Sequence, residues 1–208
     1  MTANIASSTH NFLTDLEQAV IAFRGESKTR PNASVIVNAL LQAEKTAKQQ
    51  RLIYSYESLL GKWRLCFATG TRKVRERGGI MLGKGFYIPK LFRAYISFSI
   101  PAENENLAAN HGEIGNEVQL GTLLLQLTGP AQYLGKKNLL AFDFTQIQIS
   151  LFGRTIYNGK IRSGKNKNNN FYEQSIAKLP FFAFFLITEN FIAARGRGGG
   201  LALWIRED

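Results

Sequence analysis

The sequence predicts a mainly β protein, an antiparallel barrel of about eight to ten strands that follows an N-terminal helical hairpin. From Gly61 onward, apolar and polar residues alternate, and Gly, Asn and charged residues separate the alternating runs. Before Gly61, apolar residues recur every three or four positions, which is typical of helices. The 15 Phe and 19 Gly among 208 residues favour strands and tight turns. We therefore assign residues 1–58 to a helical segment packed on the barrel, and residues 59–208 to the barrel.

Two helices are predicted before the barrel. The first follows Ser8 and Thr9, which are suitable N-cap residues, and ends at Gly25 and Pro31. The second runs from about residue 33 to residue 51, with Gln and Lys on its polar side. Their apolar stripes, which we expect to pack on the barrel, comprise Phe12, Leu13, Leu16, Val20, Phe23, Val37, Leu40 and Leu41.

Ten segments of the barrel region have the alternation of strands. Within one of them, residues 118–125 are apolar on both faces, which indicates an oily lumen on one side and helices or a membrane on the other. The predicted strands are residues 63–67, 91–100, 118–128, 139–145, 146–152, 154–162, 171–175, 181–187, 191–195 and 201–206.

The charge of the chain restricts its partners. Lys and Arg number 26 against 15 Asp and Glu, a net charge of +11, which favours nucleic acid or an anionic bilayer as a partner. The longest apolar run, residues 179–187, has nine residues, whereas a membrane-spanning helix needs about 20. The first ten residues lack the pattern of a secretory signal, so we expect a bacterial chain or one from which a leader has been removed. These features predict a soluble or peripheral membrane protein.

The single cysteine, Cys66, excludes an intramolecular disulfide and favours a reducing compartment. It lies in an apolar run, where a buried and inert thiol is expected. His10 and His111 are the only histidines, no serine lies in a nucleophile-elbow motif, and no His or Cys cluster has metal-ligand spacing. We therefore predict that the protein is not an enzyme and uses no metal and no cofactor.

Two motifs imitate ligand-binding sequences. Residues 78–84 match the glycine and lysine spacing of a phosphate-binding loop, but Gly85 stands where Ser or Thr would hold magnesium. Pro89 favours extended chain where that loop would need a helix. Residues 195–200, Arg-Gly-Arg-Gly-Gly-Gly, resemble an RNA-binding tract but lie between two apolar strands, where a hairpin turn is the simpler interpretation.

The two ends of the barrel region resemble a known family. Residues 59–69, Leu-Leu-Gly-Lys-Trp-Arg-Leu-Cys-Phe-Ala-Thr, contain the Gly-x-Trp that opens the first strand of lipocalins. The longer pattern is similar to the opening of the plastid lipid-associated proteins, also called fibrillins or plastoglobulins. Residues 191–206 are similar to that family's closing Arg-Gly turn and last apolar strand. The sequence departs from the family at residues 188–190, which keep one acid of an acidic segment, and at Ile192, which replaces an arginine.

This resemblance implies a lipocalin-like barrel that binds a lipophilic molecule such as a carotenoid, a prenylquinone or another lipid. It implies storage or transport of that ligand, with a role in photoprotection or stress tolerance. The expected location is the cytoplasm of a cyanobacterium, peripherally associated with thylakoid membranes or lipid droplets. Trp63 is expected to plug the closed end of the barrel, near Arg195 or Arg206. The expected ligand-binding residues of the lumen are Leu65, Phe67, Phe98, Leu123, Leu125, Phe142, Phe144, Phe185 and Leu203.

Residues 71–85 are predicted to form a flexible flap that contacts a membrane. Four cations precede an apolar tip, so the cations would meet anionic headgroups while the tip enters the interface. The alternative is a solvated loop whose tip folds back on the barrel. The predicted contact residues are Arg72, Lys73, Arg75, Arg77, Ile80, Met81 and Leu82.

Two other functions remain open from the sequence. A chromophore-handling lipocalin, such as a bilin lyase, would share the barrel and the basic surface and would use arginines for propionate groups. A nucleic-acid-binding barrel would stack bases on aromatic residues interleaved with Lys and Arg. Most aromatic residues here alternate toward the expected interior, so we predict no nucleic-acid partner.

Overall fold

The structure is a computed structural model that describes residues 3–74, 79–100, 110–161 and 171–207. Side chains are described in these ranges except in residues 3–11, 71–74 and 79–82. Helix α1 spans Ala3–Arg24 and helix α2 spans Ala33–Gln50, so α1 begins before its predicted cap. No helix in these ranges is long and apolar enough to cross a bilayer.

Thirteen strands follow the helices within the described ranges, and every hydrogen-bonded pair of strands is antiparallel. In chain order they are β1 (Gly61–Ala68), β2 (Thr71–Val74), β3 (Gly79–Leu82), β4 (Phe86–Tyr87), β5 (Phe92–Ser99), β6 (His111–Leu120), β7 (Leu123–Leu134), β8 (Leu139–Phe142), β9 (Gln146–Leu151), β10 (Arg154–Lys160), β11 (Phe181–Ile187), β12 (Phe191–Gly196) and β13 (Leu201–Glu207).

Eight of these strands close into a barrel in the order β1, β13, β12, β11, β8, β7, β6, β5 and back to β1. Closure depends on β7, which pairs with β6 along one side and with two different strands along the other. The first half of β7 pairs with β9, and its last four residues pair with β8. Because β10 pairs with β9 outside the ring, β9 and β10 extend one wall beyond the barrel mouth. This mainly β barrel behind two helices confirms the predicted fold class.

The change of partner along β7 takes place at Gly129. The N–H groups of Asp143 and Thr145 donate to the carbonyl oxygens of Pro130 and Thr128, at 3.1 and 2.9 Å. The connection from β8 to β9 therefore passes directly over Gly129, where an added Cβ would overlap the Asp143 carbonyl oxygen. A glycine is required here because any side chain would push the connection away from β7.

Alternation along the barrel strands separates two apolar clusters. In β13, Leu201, Leu203 and Ile205 point outward to the helices, whereas Ala202 and Trp204 point into the barrel. The outer cluster joins α1 and α2 to β1, β11, β12 and β13. The inner cluster has members from all eight barrel strands. The helices therefore pack against the outside of one barrel wall.

Two β-bulges interrupt this alternation. In β1 the register with β13 shifts between Leu65 and Phe67, which makes Cys66 an extra residue. In β11 the register with β12 shifts in the same way, and Phe185 is the extra residue. Both extra residues belong to the outer cluster under the helices. Burial raises the pKa of Cys66 to about 12, so its thiol stays protonated at neutral pH.

Two sequence-based predictions are corrected by these elements. The predicted strand 118–128 is two strands, β6 and β7, joined by a turn at residues 121–122. Its two apolar halves lie on the same inner face, and the chain reversal makes them look like opposite faces of one strand. Residues 171–175 contain the 3-10 turn Phe171–Glu173 instead of a strand, because the Gln174 N–H bonds back along the chain. The predicted flap, residues 71–85, includes the antiparallel strands β2 and β3, and its role as a flap stays a prediction.

The chain before β1 closes one end of the barrel. Tyr56 and Leu59 belong to the inner cluster, and the Tyr56 hydroxyl donates to the carbonyl oxygen of Ser99 at 3.2 Å. Burial raises the pKa of Tyr56, so the hydroxyl remains a donor. The Tyr56 ring lies over Gly112 of β6, where an added Cβ would overlap the hydroxyl oxygen.

We expect Gly112→Ala to lower the free energy of unfolding by about 2–3 kcal/mol, because Tyr56 would have to leave the closed end. Gly198→Ala is the matched control, since no atom of the described part of the chain lies within 4 Å of its Cβ position, and it should change stability by less than about 0.5 kcal/mol. Urea unfolding followed by circular dichroism measures both. Equal stability of the two variants would contradict this role for Tyr56.

Candidate ligand-binding site

Trp63 fills the closed end of the barrel. Its side chain is fully buried, and the indole N–H donates to the carbonyl oxygen of Leu59 at 2.7 Å. The guanidinium carbon of Arg206 lies 4.6 Å from the indole ring centre, which is a cation–π contact. The same guanidinium donates to the carbonyl oxygen of Leu60 at 3.1 Å. The structure thus brings together two of the three residues that were predicted to close the barrel.

Arg195, the alternative to Arg206 as the residue beside Trp63, lies elsewhere, so its assignment to barrel closure is corrected. Its neighbour Ala194 points into the barrel, so Arg195 points outward toward α2. There it donates to both carboxylate oxygens of Glu44, with 2.9 Å between Nε and Oε1. These bonds hold the pKa of Glu44 below its ordinary value. Arg195 therefore fixes a helix to the barrel wall instead of covering Trp63.

The protein's own side chains fill the barrel interior. Three rings that were not among the predicted lumen residues contribute: Phe184 and Trp204 belong to the inner cluster, and Phe182 packs against it. The Phe184 ring centre lies 5.9 Å from that of Phe98, and the Phe182 ring centre lies 5.5 Å from that of Trp204. The predicted lumen residues that contact this inner cluster are Leu65, Phe98, Phe142 and Phe144.

Three predicted lumen residues lie in the outer cluster instead, which corrects their assignment: Phe67, Phe185 and Leu203. The bulge in β1 turns Phe67 toward the helices. Phe185 follows the alternation of β11, in which Phe182 and Phe184 point inward. Leu203 follows the regular alternation of β13, in which Trp204 points inward and its neighbours outward.

The remaining two, Leu123 and Leu125, lie where β6, β7 and β9 continue beyond the closed ring. Leu125 pairs with Val118 of β6 on one side and with Ile149 of β9 on the other. Directly paired residues share a face, and Val118 alternates in step with Ile114 of the inner cluster. The inner face of the barrel therefore continues outward along these three strands.

We name this continuation the apolar ledge. All of its side chains are at least partly exposed, and the exposed fraction reaches 57% for Leu120 and 42% for Leu123 near the hairpin tip. Asn116, which pairs with Leu127, lies on the same face, and the other residues of this face form an aliphatic surface beside the barrel mouth, which has the character of a binding site. The ledge consists of Val118, Leu120, Leu123, Leu125, Leu127, Ile147, Ile149 and Leu151.

The opposite face of the same strands is polar. Gln148 donates to Gln126, and Gln126 donates to Glu117, each at 3.3 Å. Lys62 of β1 completes the row with an ion pair to Glu117 at 3.1 Å. Antiparallel sheets with one polar and one aliphatic face usually cover the aliphatic face. The ledge is therefore the face of this sheet that needs a partner.

Exposed apolar side chains continue to the tips of the two hairpins. Phe152 is 75% exposed and has a left-handed backbone with φ of 50°, which is unusual for a bulky residue. Its N–H donates to the carbonyl oxygen of Thr122 at 3.1 Å, which ties the β9–β10 tip to the β6–β7 tip. Ile156 and Tyr157 of β10 are also more than half exposed.

The predicted membrane-contact residues are not tested by the structure. Arg75 and Arg77 lie outside the described residues. The side chains of Arg72 and Lys73 in β2 also lie outside them, as do those of Ile80, Met81 and Leu82 in β3. Their contact with a membrane stays a prediction.

The Glu44–Arg195 pair generates a pH-dependent prediction. Glu44→Gln should lower the free energy of unfolding at pH 7 by about 2–3 kcal/mol, because it leaves Arg195 only partly paired. A lowered carboxyl pKa stabilises the fold above the pKa of the unfolded chain, and this stabilisation is lost as pH falls through the folded value. The difference between wild type and Glu44→Gln should therefore be constant near neutral pH and shrink in acid.

Urea unfolding between pH 3 and pH 7 measures this difference. Glu17→Gln, on the exposed side of α1, is the control and should leave stability unchanged within about 0.5 kcal/mol. A wild-type advantage over Glu44→Gln that grows in acid would contradict the assignment.

No protein-family model matches the sequence, and no curated protein matches it. The resemblance of residues 59–69 and 191–206 to the plastid lipid-associated proteins therefore stays a prediction.

Proposed function

We propose that this protein is a non-catalytic binding protein that holds the apolar part of a lipophilic molecule on the apolar ledge. One observation carries the proposal: β6, β7 and β9 present eight aliphatic side chains to the barrel mouth and a hydrogen-bonded polar row to the other side. Covering apolar surface is worth about 25 cal/mol per Å², so a hydrocarbon chain or ring laid along the ledge would be stabilised by burial alone.

The proposed site lies at the mouth because the interior is already packed. Trp63 and Phe98 are almost completely buried among their neighbours, and the aromatic rings of β11 and β13 lie against them. A ligand that displaced these rings would have to offset the loss of a close-packed core. A ligand on the ledge leaves the core intact and covers side chains that are now in contact with water.

The ligand class we propose is an isoprenoid or another lipid, such as a carotenoid or a prenylquinone, held close to a membrane or lipid droplet. The resemblance of the first and last barrel strands to the plastid lipid-associated proteins supports this class. The contact between Trp63 and Arg206 at the closed end supports a lipocalin-like use of the opposite, open end.

The test compares leucines on the two faces of β7 with retinol, a neutral fluorescent isoprenoid, as the probe. We expect wild-type protein to bind retinol, and Leu125→Gln/Leu127→Gln to weaken binding by about tenfold or more, because the ledge loses two aliphatic contacts. Leu124→Gln is the matched control, since Leu124 pairs with Gln119 and Ser150 on the polar face. It should bind retinol as wild type does.

Circular dichroism melting curves ensure that the variants are folded under the conditions of the titration. Equal affinity of wild type and the double variant would overturn the ledge as the site. A wild-type protein that binds neither retinol nor a short-chain plastoquinone would overturn the proposed function.

A further inference from the structure

A concave surface lies outside the barrel wall, and its described residues are different from those of the ledge. It is a groove of about 570 Å³ between the end of α2, the residues that follow it, the 3-10 turn Gly135–Lys137 and β11. We name it the cationic groove. Ala47, Ala183 and Phe185 line it, together with Ile53, whose side chain is 66% exposed. Much of its lining is therefore hydrocarbon, and part of that hydrocarbon is in contact with water.

The charged residues of this groove are almost all cations. Lys48, Arg51, Lys136 and Lys137 line it, and among the described residues Glu44 is the one acidic residue of its lining. The Glu44 carboxylate is already bound by Arg195 and by Lys48, the latter at 3.0 Å. The groove therefore has unbalanced positive charge beside apolar residues.

The needs of the fold explain only half of these cations. Lys48 and Arg51 lie at the C-terminal end of α2, where positive charge stabilises the helix dipole. Lys136 and Lys137 belong to a single 3-10 turn, and both are exposed. A role in binding an anionic ligand would account for these two lysines.

The two sides of the groove are held together by Asn138, which is 7% exposed. Its amide nitrogen donates to the carbonyl oxygen of Leu52 at 2.7 Å, and its amide oxygen accepts from the Tyr54 N–H at 2.9 Å. The Tyr133 hydroxyl also donates to this oxygen, at 3.3 Å. The groove is thus preformed, which lowers the entropy cost of filling it.

We propose that the cationic groove binds one acyl chain that carries an anionic head group. The chain would cover Ile53 and the neighbouring apolar residues, and the head group would accept hydrogen bonds from Lys136 and Lys137. The volume lies within the range of small-molecule sites, about 300–1,000 Å³. Because the site is concave, it is better suited to enclosing a single chain than to docking on a flat membrane surface. The proposal does not depend on the ledge, because no described residue belongs to both surfaces.

The test is calorimetric titration of the full chain with decanoate and with decanol, which differ in head-group charge. Wild type should bind decanoate more tightly than decanol. Lys136→Glu/Lys137→Glu should weaken decanoate binding by about tenfold or more and leave decanol binding unchanged. Ile53→Asn should weaken the binding of both ligands. Because Ile53 is exposed, this substitution should leave the fold intact. Amide chemical shifts should change at residues 51–54 and 135–138.

Lys45→Glu/Lys160→Glu is the control, because it changes the net charge by the same amount at two exposed residues outside the described lining of the groove. It should leave the affinities for decanoate and decanol unchanged. If it weakens decanoate binding as much as the groove variant does, the attraction is a property of the net charge and the proposal fails. Leu125→Gln/Leu127→Gln should leave decanoate binding intact, which separates this site from the ledge.

Vesicles containing phosphatidylglycerol separate a single chain from a membrane surface. If the groove variant loses vesicle binding while wild type binds no monomeric decanoate, the surface docks on membranes and the single-chain site is overturned. Shift changes confined to the ledge, or no binding of decanoate at all, would also overturn it.

Discussion

The passage of one connection over Gly129 determines the form of this protein. Strand β7 is long enough to pair with β8 and with β9, and the chain between those two strands has to cross its inner face. The crossing is possible because Gly129 has no side chain and because Thr128 and Pro130 offer carbonyl oxygens on either side. Below the crossing the sheet closes into a barrel; above it, the same sheet continues as an open wall.

This arrangement divides the apolar surface of the chain into parts with different uses. Closure buries the inward-pointing rings of β1, β5, β11 and β13 against one another. The helices cover the outward-pointing apolar residues of one barrel wall. Neither process covers the wall above the crossing, so its inner face keeps aliphatic residues in contact with water. The ledge is thus a consequence of how the barrel closes.

The position of α2 on the barrel wall forms one side of the cationic groove. The Arg195–Glu44 pair and the bulged Phe185 fix α2 against β11 and β12, so that the helix ends beside the turn that precedes β8. That meeting point is the cationic groove, in which Glu44 is paired with Arg195 and Lys48, while Lys136 and Lys137 add positive charge that Glu44 does not balance. One surface is therefore suited to neutral hydrocarbon and the other to hydrocarbon that carries a negative charge.

The sequence by itself determined the helices, most of the strands and the closed end of the barrel. Periods of three to four and of two residues are local properties, and the Gly-x-Trp at residues 61–63 indicated Trp63 as the plug. The alternation of apolar and polar residues did not determine which face of a strand points inward, because the direction of a face depends on the pairing with neighbouring strands. For Phe67, Phe185 and Leu203 the assignment was wrong for this reason.

Only the tertiary structure decided the direction of each face. The bulges at Cys66 and Phe185 reverse the alternation partway along β1 and β11, and a bulge is defined by a mismatch between two strands. The turn at residues 121–122 has the same effect, because it folds two halves of an apolar run onto one face. Local residues set the period of a pattern; long-range pairing sets its orientation, and with it the position of the ledge and of the groove.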